Sequence, residues 1–256
     1  MFTVHATGSW SADQIRLIRS GEKRKIVPEV EAATERAWNE LLAKPGINLF
    51  DGPMVRLISF HADPNRLELE VGETTYKPFV GTNMAHPEFA DQYGVEVMSN
   101  PVGVSPLLIS VDGYLLLGRR QATLAYYPSR IHPFAGAMEP KDTGPIQAVR
   151  RELREELALD HHDVAEIRCT GIVEDHLLRQ QELVLVAHCT RTRDALIAKL
   201  DNDEHHDAWS IPATSEAVVD AFTAEPSLTP VARAAMLLWG RLKFGHAWYE
   251  DQYDQV

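Results

Sequence analysis

The segment Pro145–Leu159, PIQAVRRELREELAL, constrains this chain more than any other. Ala148, Val149, Leu153 and Leu157 recur at helical spacing, so the segment reads as a helix with an apolar side that must lie against another element. Glu152, Glu155 and Glu156 stand three and four residues apart, which gathers three carboxylates on one face. Each exposed like-charge pair at that spacing costs a few tenths of a kcal/mol, roughly, and more where the site is enclosed. A divalent cation reverses the sign of that cost, and hard oxygen donors suit magnesium. Taken alone, the string is equally compatible with a solvated helix laced by Arg–Glu pairs.

Such a helix needs a sheet to lie on. Val104–Val111 and Tyr114–Gly118, joined by Asp112-Gly113, read as a largely buried hairpin, and Gln181–Thr190 as a further strand. Ala195–Leu200, Ser215–Thr223 and Pro230–Phe244 read as helices, the last with Thr229 as N-cap and Pro230 at the first helical position. The tail EDQYDQV is expected to fray. Upstream, Val30, Ala33, Ala37 and Leu41 mark an amphipathic helix ending before Pro45-Gly46. Met54–Phe60 and Arg66–Val71 flank the turn-rich stretch His61–Asn65 as a second hairpin. Residues 72–103 are rich in Gly, Pro, Asn and Thr, and the first unit is expected to give way to the second near residue 100. The reading is an α/β layered protein, with a small α+β subdomain over 1–100 and the main domain over 101–256.

With 37 acidic against 25 basic side chains, the net charge is −12 and no basic stripe is present, which argues against nucleic acid as a partner. An acidic protein holds an anionic small molecule only through local cations, backbone amides or a bound metal. Cys169 and Cys189 have neither zinc-site nor disulfide-framework spacing and suit a reducing compartment. No apolar run approaches membrane-spanning length and the first residues lack a leader pattern, so a cytoplasmic protein with no membrane contact is expected. His161-His162-Asp163 and the run Asp203–Asp207 lack the paired spacing of a zinc centre and read as solvated loops. No G-x-S-x-G occurs, which leaves a Ser-His-Asp hydrolase unsupported. Oligomeric state has no signal.

The string Arg151-Glu152-Leu153-Arg154-Glu155-Glu156 resembles the R-E-U-x-E-E core of the Nudix box, in which U is apolar. Gly136 fits the opening glycine, and with one inserted residue Asp142 takes the place of the earlier glutamate. The resemblance implies a Nudix-type α/β/α sandwich with a mixed sheet. It also implies magnesium, or manganese, held by Glu152, Glu155 and Glu156, and in-line attack of activated water on a pyrophosphate. Arg151 would then orient a glutamate. The general base is Glu152 or a carboxylate outside the box, with Glu182 at the start of ELVLVAH the foremost such residue and Glu139 and Glu174 behind it. Two positions depart from the pattern. Asp142 or Thr143 stands where Glu is usual, and Ala158 replaces the closing glycine, so the helix is expected to run on by about a turn or to end less sharply.

The runs Leu67–Gly72, Thr75–Asn83, Asn100–Gly103 and Tyr114–Arg120 resemble the UDP-glucose pyrophosphatase branch of that superfamily. This implies a nucleotide-sugar substrate, a UDP-sugar such as UDP-glucose or UDP-galactose, cleaved to UMP and sugar 1-phosphate. On that reading Tyr76 and Phe79 stack on a pyrimidine, Gly81, Thr82 and Asn83 meet its edge, and Arg119 and Arg120 bind phosphate. The same loop residues also suit a plain role, pinning a loop to the core. ADP-ribose or another dinucleotide is the alternative substrate, and a catalytically weak nucleotide-sugar binding module the alternative function.

Overall fold

The computed structural model describes residues 1–44, 49–200 and 204–256. Pro45, Gly46 and Asp203, which the sequence reading used, lie outside the described residues. The chain opens with strands β1 (Phe2–Trp10) and β2 (Ile15–Arg19), helix α1 (Pro28–Leu42), and strands β3 (Pro53–Asp63) and β4 (Arg66–Thr75). Two short helices follow, α2 (Tyr76–Phe79) and α3 (Phe89–Tyr93), with a π-helical turn over Val80–Met84 between them. Next come β5 (Gly103–Ile109), β6 (Tyr114–Arg120), β7 (Ile131–His132), β8 (Gly136–Ala137) and helix α4 (Pro145–Leu157). The remainder is β9 (Val164–Asp175), β10 (Gln180–Cys189), α5 (Arg193–Ile197), β11 (His205–Pro212), α6 (Ser215–Ala224), α7 (Pro230–Phe244) and α8 (His246–Tyr253).

The large sheet runs β1-β9-β10-β5-β6-β11, with β7 attached to β6 and β8 to β5. Its β10–β5 pair is parallel and its other pairs are antiparallel, which makes the sheet mixed. One face carries Val104, Leu108, Leu183 and Leu185 and packs against Ala148, Val149, Leu153 and Leu157 of α4. The opposite face carries Leu107, Leu117, Val184 and Val186 and packs against α6 and α7. This is the expected α/β/α sandwich with a mixed sheet, produced by strands buried on both faces.

The small sheet, ordered β2-β4-β3, adds Val55, Leu57, Leu67, Leu69 and Val71 to the same core as α4. Backbone bonds stitch the two sheets together. Val55 N–H donates to Met138 O, Met138 N–H to Val102 O, and Val102 N–H to Val55 O, each at 2.8–2.9 Å. The first ten residues cross the expected division of the chain, because β1 pairs with β9 at the edge of the large sheet. Trp10, fully buried, ends β1 and donates its indole N–H to Asp63 O at 2.8 Å, so one side chain joins the two sheets.

Two expectations are corrected. The tail is helical as far as Tyr253, whose ring meets Phe2 edge-on at 6.3 Å, and Val256 packs on the core. The helix of the acidic motif stops at Leu157 despite lacking a glycine. Ala158 takes the left-handed conformation (φ 46°, ψ 36°), and the N–H groups of Ala158 and Leu159 both return to Leu153 O. Leu157 and Leu159 are buried on either side of it, and their burial outweighs the strain of a left-handed alanine, about 1–2 kcal/mol.

Replacing Ala158 by glycine is therefore expected to stabilise the protein by about 1 kcal/mol, read as a higher urea midpoint at unchanged slope. Trp10→Ala is expected to cost about 3–5 kcal/mol in the same measurement, because it opens a cavity at the joint of the two sheets.

Candidate active site

Helix α4 turns its residues about 100° at each step, so Ala148, Glu152 and Glu156 form one stripe beside Val149 and Leu153. That stripe faces the protein, and Glu152 and Glu156 are both buried. Glu155 lies on the other side of Glu152 and is largely exposed. The three carboxylates are thus fanned across the helix rather than stacked. Glu152 lies over β8 at Gly136, where a Cβ would collide with its carboxylate. Glu156 turns the other way, with its Oε2 2.9 Å from Nδ1 of the buried His205.

Arg151 organises the outer end of this array. Its Nη1 donates to Glu152 Oε1 at 2.7 Å and Glu155 Oε2 at 3.3 Å, and lies 3.6 Å from Glu139 Oε1. Its Nη2 donates to Ala137 O at 2.9 Å and Asp142 Oδ2 at 3.2 Å. Asp142 is buried and also accepts the Glu139 N–H, so it braces the guanidinium. Burial works against the charge of Arg151, but Glu152, Asp142 and Glu139 outweigh it and hold its pKa above the ordinary value. Burial pushes the Glu152 carboxyl up to about 7; Glu156 and Glu155 push it further the same way, and Arg151 opposes them.

Glu182, the third residue of β10, is in register with Gly103, which in turn pairs with Ala137 of β8. Its carboxylate accepts the Ser105 hydroxyl. Burial raises it to about 7, and Asp175 adds to this while Ser105 and Arg120 oppose it. Among the described residues no group of three His, Cys, Asp or Glu side chains is already gathered for a metal ion. Magnesium does not require one, since it is commonly held by one or two carboxylates with waters and substrate oxygens completing the shell. Four carboxylates around the single guanidinium of Arg151 leave surplus negative charge on hard oxygen donors. The donor set therefore fits that ion.

A cleft of about 970 Å³ brings much of this together. Glu139, Arg151, Glu152, Glu155 and Glu182 line it, along with Tyr76, Phe79, Arg120, Tyr126 and His132. Arg120 is buried, with its guanidinium 4.4 Å over the Tyr126 ring, its Nε donating to Tyr126 O at 3.3 Å and its Nη1 without a hydrogen-bond partner among the described residues. Phe79 meets Tyr126 edge-on at 6.2 Å and Tyr76 at 6.0 Å, which forms an aromatic wall opposite the acids.

Other expected site residues lie elsewhere. Arg119 points to the opposite side of β6, donating to Ser129 O and Ser227 Oγ. Gly81 lies against the backbone of Thr34 in α1, where a side chain would clash. Thr82 and Asn83 are wholly buried. Asn83 Nδ2 donates to Asn100 Oδ1, Leu178 O and Arg179 O, and its Oδ1 accepts the Asn100 N–H. These contacts fix the loop to β9–β10 and are the plain role weighed above. Glu174 pairs with His5 and Arg179 away from the cleft. Tyr126, His132 and His205 escaped the sequence reading: the first two lie in a stretch without periodicity, and His205 sits in a polar run taken as a loop. The rings of His161 and His162 meet at a tilt of 41° with centroids 3.7 Å apart, while Asp163 is a buried partner of Arg191 and Lys199.

The NUDIX domain model matches residues 99–230, more than half of the chain. The chain belongs to the Nudix family. Its Nudix segment begins just before β5 and runs to the start of α7, and so includes the acidic helix and both strands beneath it. The chain is also similar to proteins curated as uridine diphosphate glucose pyrophosphatase NUDT22. Identity is 27% over 186 residues to that of Bos taurus, covering 66% of this chain and 63% of that protein. It is 29% over 136 residues to that of Homo sapiens, covering 48% and 44%. The chain thus spans only about half to two thirds of the length of these relatives. A crystal structure of DR0079 from Deinococcus radiodurans overlaps 53% of this chain and 80% of its own, with a TM-score of 0.43 and 18% identity.

Asn83→Ala is expected to destabilise the Nudix protein by about 1–3 kcal/mol in urea unfolding, because it leaves buried loop groups without partners.

Proposed function

We propose that this protein is a magnesium-dependent pyrophosphatase that splits a UDP-sugar, UDP-glucose or UDP-galactose, into UMP and sugar 1-phosphate. The observation that carries the proposal is the union, in one cleft, of the carboxylates around Arg151 and Glu182 with the buried Arg120 guanidinium, whose Nη1 has no hydrogen-bond partner among the described residues, and an aromatic wall. A diphosphate needs cationic help at both phosphates, and a nucleobase needs an aromatic or apolar surface. The two halves of the cleft answer those needs separately.

Glu152 and Glu155 are the metal-holding residues of the cleft, with Glu156 behind them on the same helix. When bound, magnesium neutralises charge on the diphosphate and lowers the pKa of water. Arg151 bridges Glu152 and Glu155 through Nη1 and ties them to β8 through Nη2. Glu182, enclosed and raised toward neutrality, is suited to take a proton in the cleft. Arg120 binds a phosphate, and Tyr76, Phe79 and Tyr126 border the base. The preference for uridine rests on the curated relatives named for UDP-glucose. We further propose a division near residue 100, with β1 lent by the first unit to the sheet of the second.

The test is product release from UDP-glucose, UDP-galactose, ADP-ribose, NADH and coenzyme A with magnesium. UMP from the UDP-sugars is expected, lost on chelation and restored by added magnesium, with Glu152→Gln lowering kcat by at least about a hundredfold. Equal or faster turnover of the adenine compounds overturns the uridine assignment. Ligand binding with no product from any compound makes the protein a binding module.

A further inference from the structure

His132 has no part in the readings above, yet its surroundings are as closely built as those of the acids. It is buried, lines the cleft, and sits on β7, paired across to Gly118 of β6. Tyr127 stacks on its ring at 6.2 Å and 28°, and Tyr126 meets it edge-on at 6.4 Å. Tyr127 is itself held in a left-handed conformation (φ 49°), with its hydroxyl donating to Asp175 at 2.6 Å. The imidazole is therefore fixed in place before any ligand arrives.

Its protonation pattern follows from Thr229. That hydroxyl is fully buried, 2.9 Å from His132 Nδ1, and already accepts the Ala232 N–H at the start of α7. A buried hydroxyl proton needs an acceptor, and Nδ1 is the acceptor beside it. Nδ1 then carries no hydrogen, and the ring proton lies on Nε2, the nitrogen not bonded to Thr229, of a residue that lines the cleft. Burial, Arg120 and His205 hold the His132 pKa well below the ordinary value, so the ring stays neutral while donating. The Arg120 guanidinium lies over Tyr126, the same ring that His132 touches, and its Nη1 has no partner among the described residues. Two buried N–H donors thus flank one aromatic ring in the cleft.

We propose that His132 is a substrate-binding residue whose Nε2–H, beside the Arg120 guanidinium, holds an oxygen of a substrate phosphate. The ligand class is a diphosphate, so the inference rests on the pyrophosphatase reading and adds a residue to it. A neutral donor fixes the position of that oxygen, and Arg120 supplies the charge.

Inorganic pyrophosphate with magnesium, titrated into the intact protein, is the probe. His132→Phe keeps an aromatic ring and removes the donor; His132→Gln restores an N–H near the Nε2 position. Affinity is expected to fall about tenfold or more in His132→Phe, and to return to within about threefold of wild type in His132→Gln. Wild-type protein labelled with ¹⁵N in its histidines supplies a readout that needs no folded Phe variant: the His132 Nε2 resonance, assigned by its loss in His132→Gln, is expected to shift on adding pyrophosphate. Undiminished affinity in a folded His132→Phe protein, or a His132 resonance that stays still while pyrophosphate binds, overturns this assignment and leaves the pyrophosphatase reading intact. If the wild-type protein binds no pyrophosphate at all, both are overturned.

Discussion

The structure depends on laying an acidic helix against a sheet with two of its carboxylates turned inward. Ala148, Val149, Leu153 and Leu157 supply the apolar contact, each of the larger side chains worth roughly 1.5–3 kcal/mol on burial. Glu152 and Glu156 share that side of the helix and must be buried with it. The fold accommodates them individually: bare backbone at Gly136 and the Arg151 guanidinium for Glu152, His205 beside Glu156. A site of this kind is held rigidly because the same residues that position it also close the core.

The cleft is a product of both sheets. Its acidic wall comes from α4, β8 and β10, and its aromatic wall from Tyr76 and Phe79 after β4 and Tyr126 after β6. The distance between those walls is set by the backbone stitching of Val55, Val102 and Met138 and by Trp10 at the end of β1. Strand β1 therefore has a double role. It completes the edge of the large sheet beside β9, and it fixes the amino-terminal layer over the acidic helix.

What could be read from the sequence follows from how each signal is encoded. The acidic helix, the β5–β6 hairpin and the β10 strand carry strong periodicity or unbroken apolar runs, and each was legible. Strands β1 and β11 were not, because they are the edges of the large sheet and edge strands carry polar residues on their exposed side. HHDAWSIP reads as a loop until its first histidine is found packed on Phe134 at 5.1 Å. Among candidate site residues, Glu152 and Glu155 stood out by helical spacing, and Arg151 and Glu182 entered through the Nudix resemblance, each on a regular element that carries a strong pattern. Gly81, Thr82 and Asn83 sit in a π-helical turn, where no periodicity tells which way a side chain faces; their polar character reflected bonds within the loop.

Charge explains why the two ends of the cleft are built so differently. A chain with net charge −12 repels a diphosphate at long range, so attraction must come from a few groups that water does not screen. Arg151 is consumed by its four carboxylates and has little charge left for a ligand. Arg120 differs: it is buried over the Tyr126 ring, makes no ion pair among the described residues, and has no hydrogen-bond partner at Nη1 among them. Leaving such a donor unpaired costs about 1–3 kcal/mol or more for a charged group, a cost that a bound phosphate oxygen removes. The acids gather more negative charge than Arg151 can balance and Arg120 keeps an open Nη1 among the described residues, so on the proposed function a metal-bound diphosphate completes both.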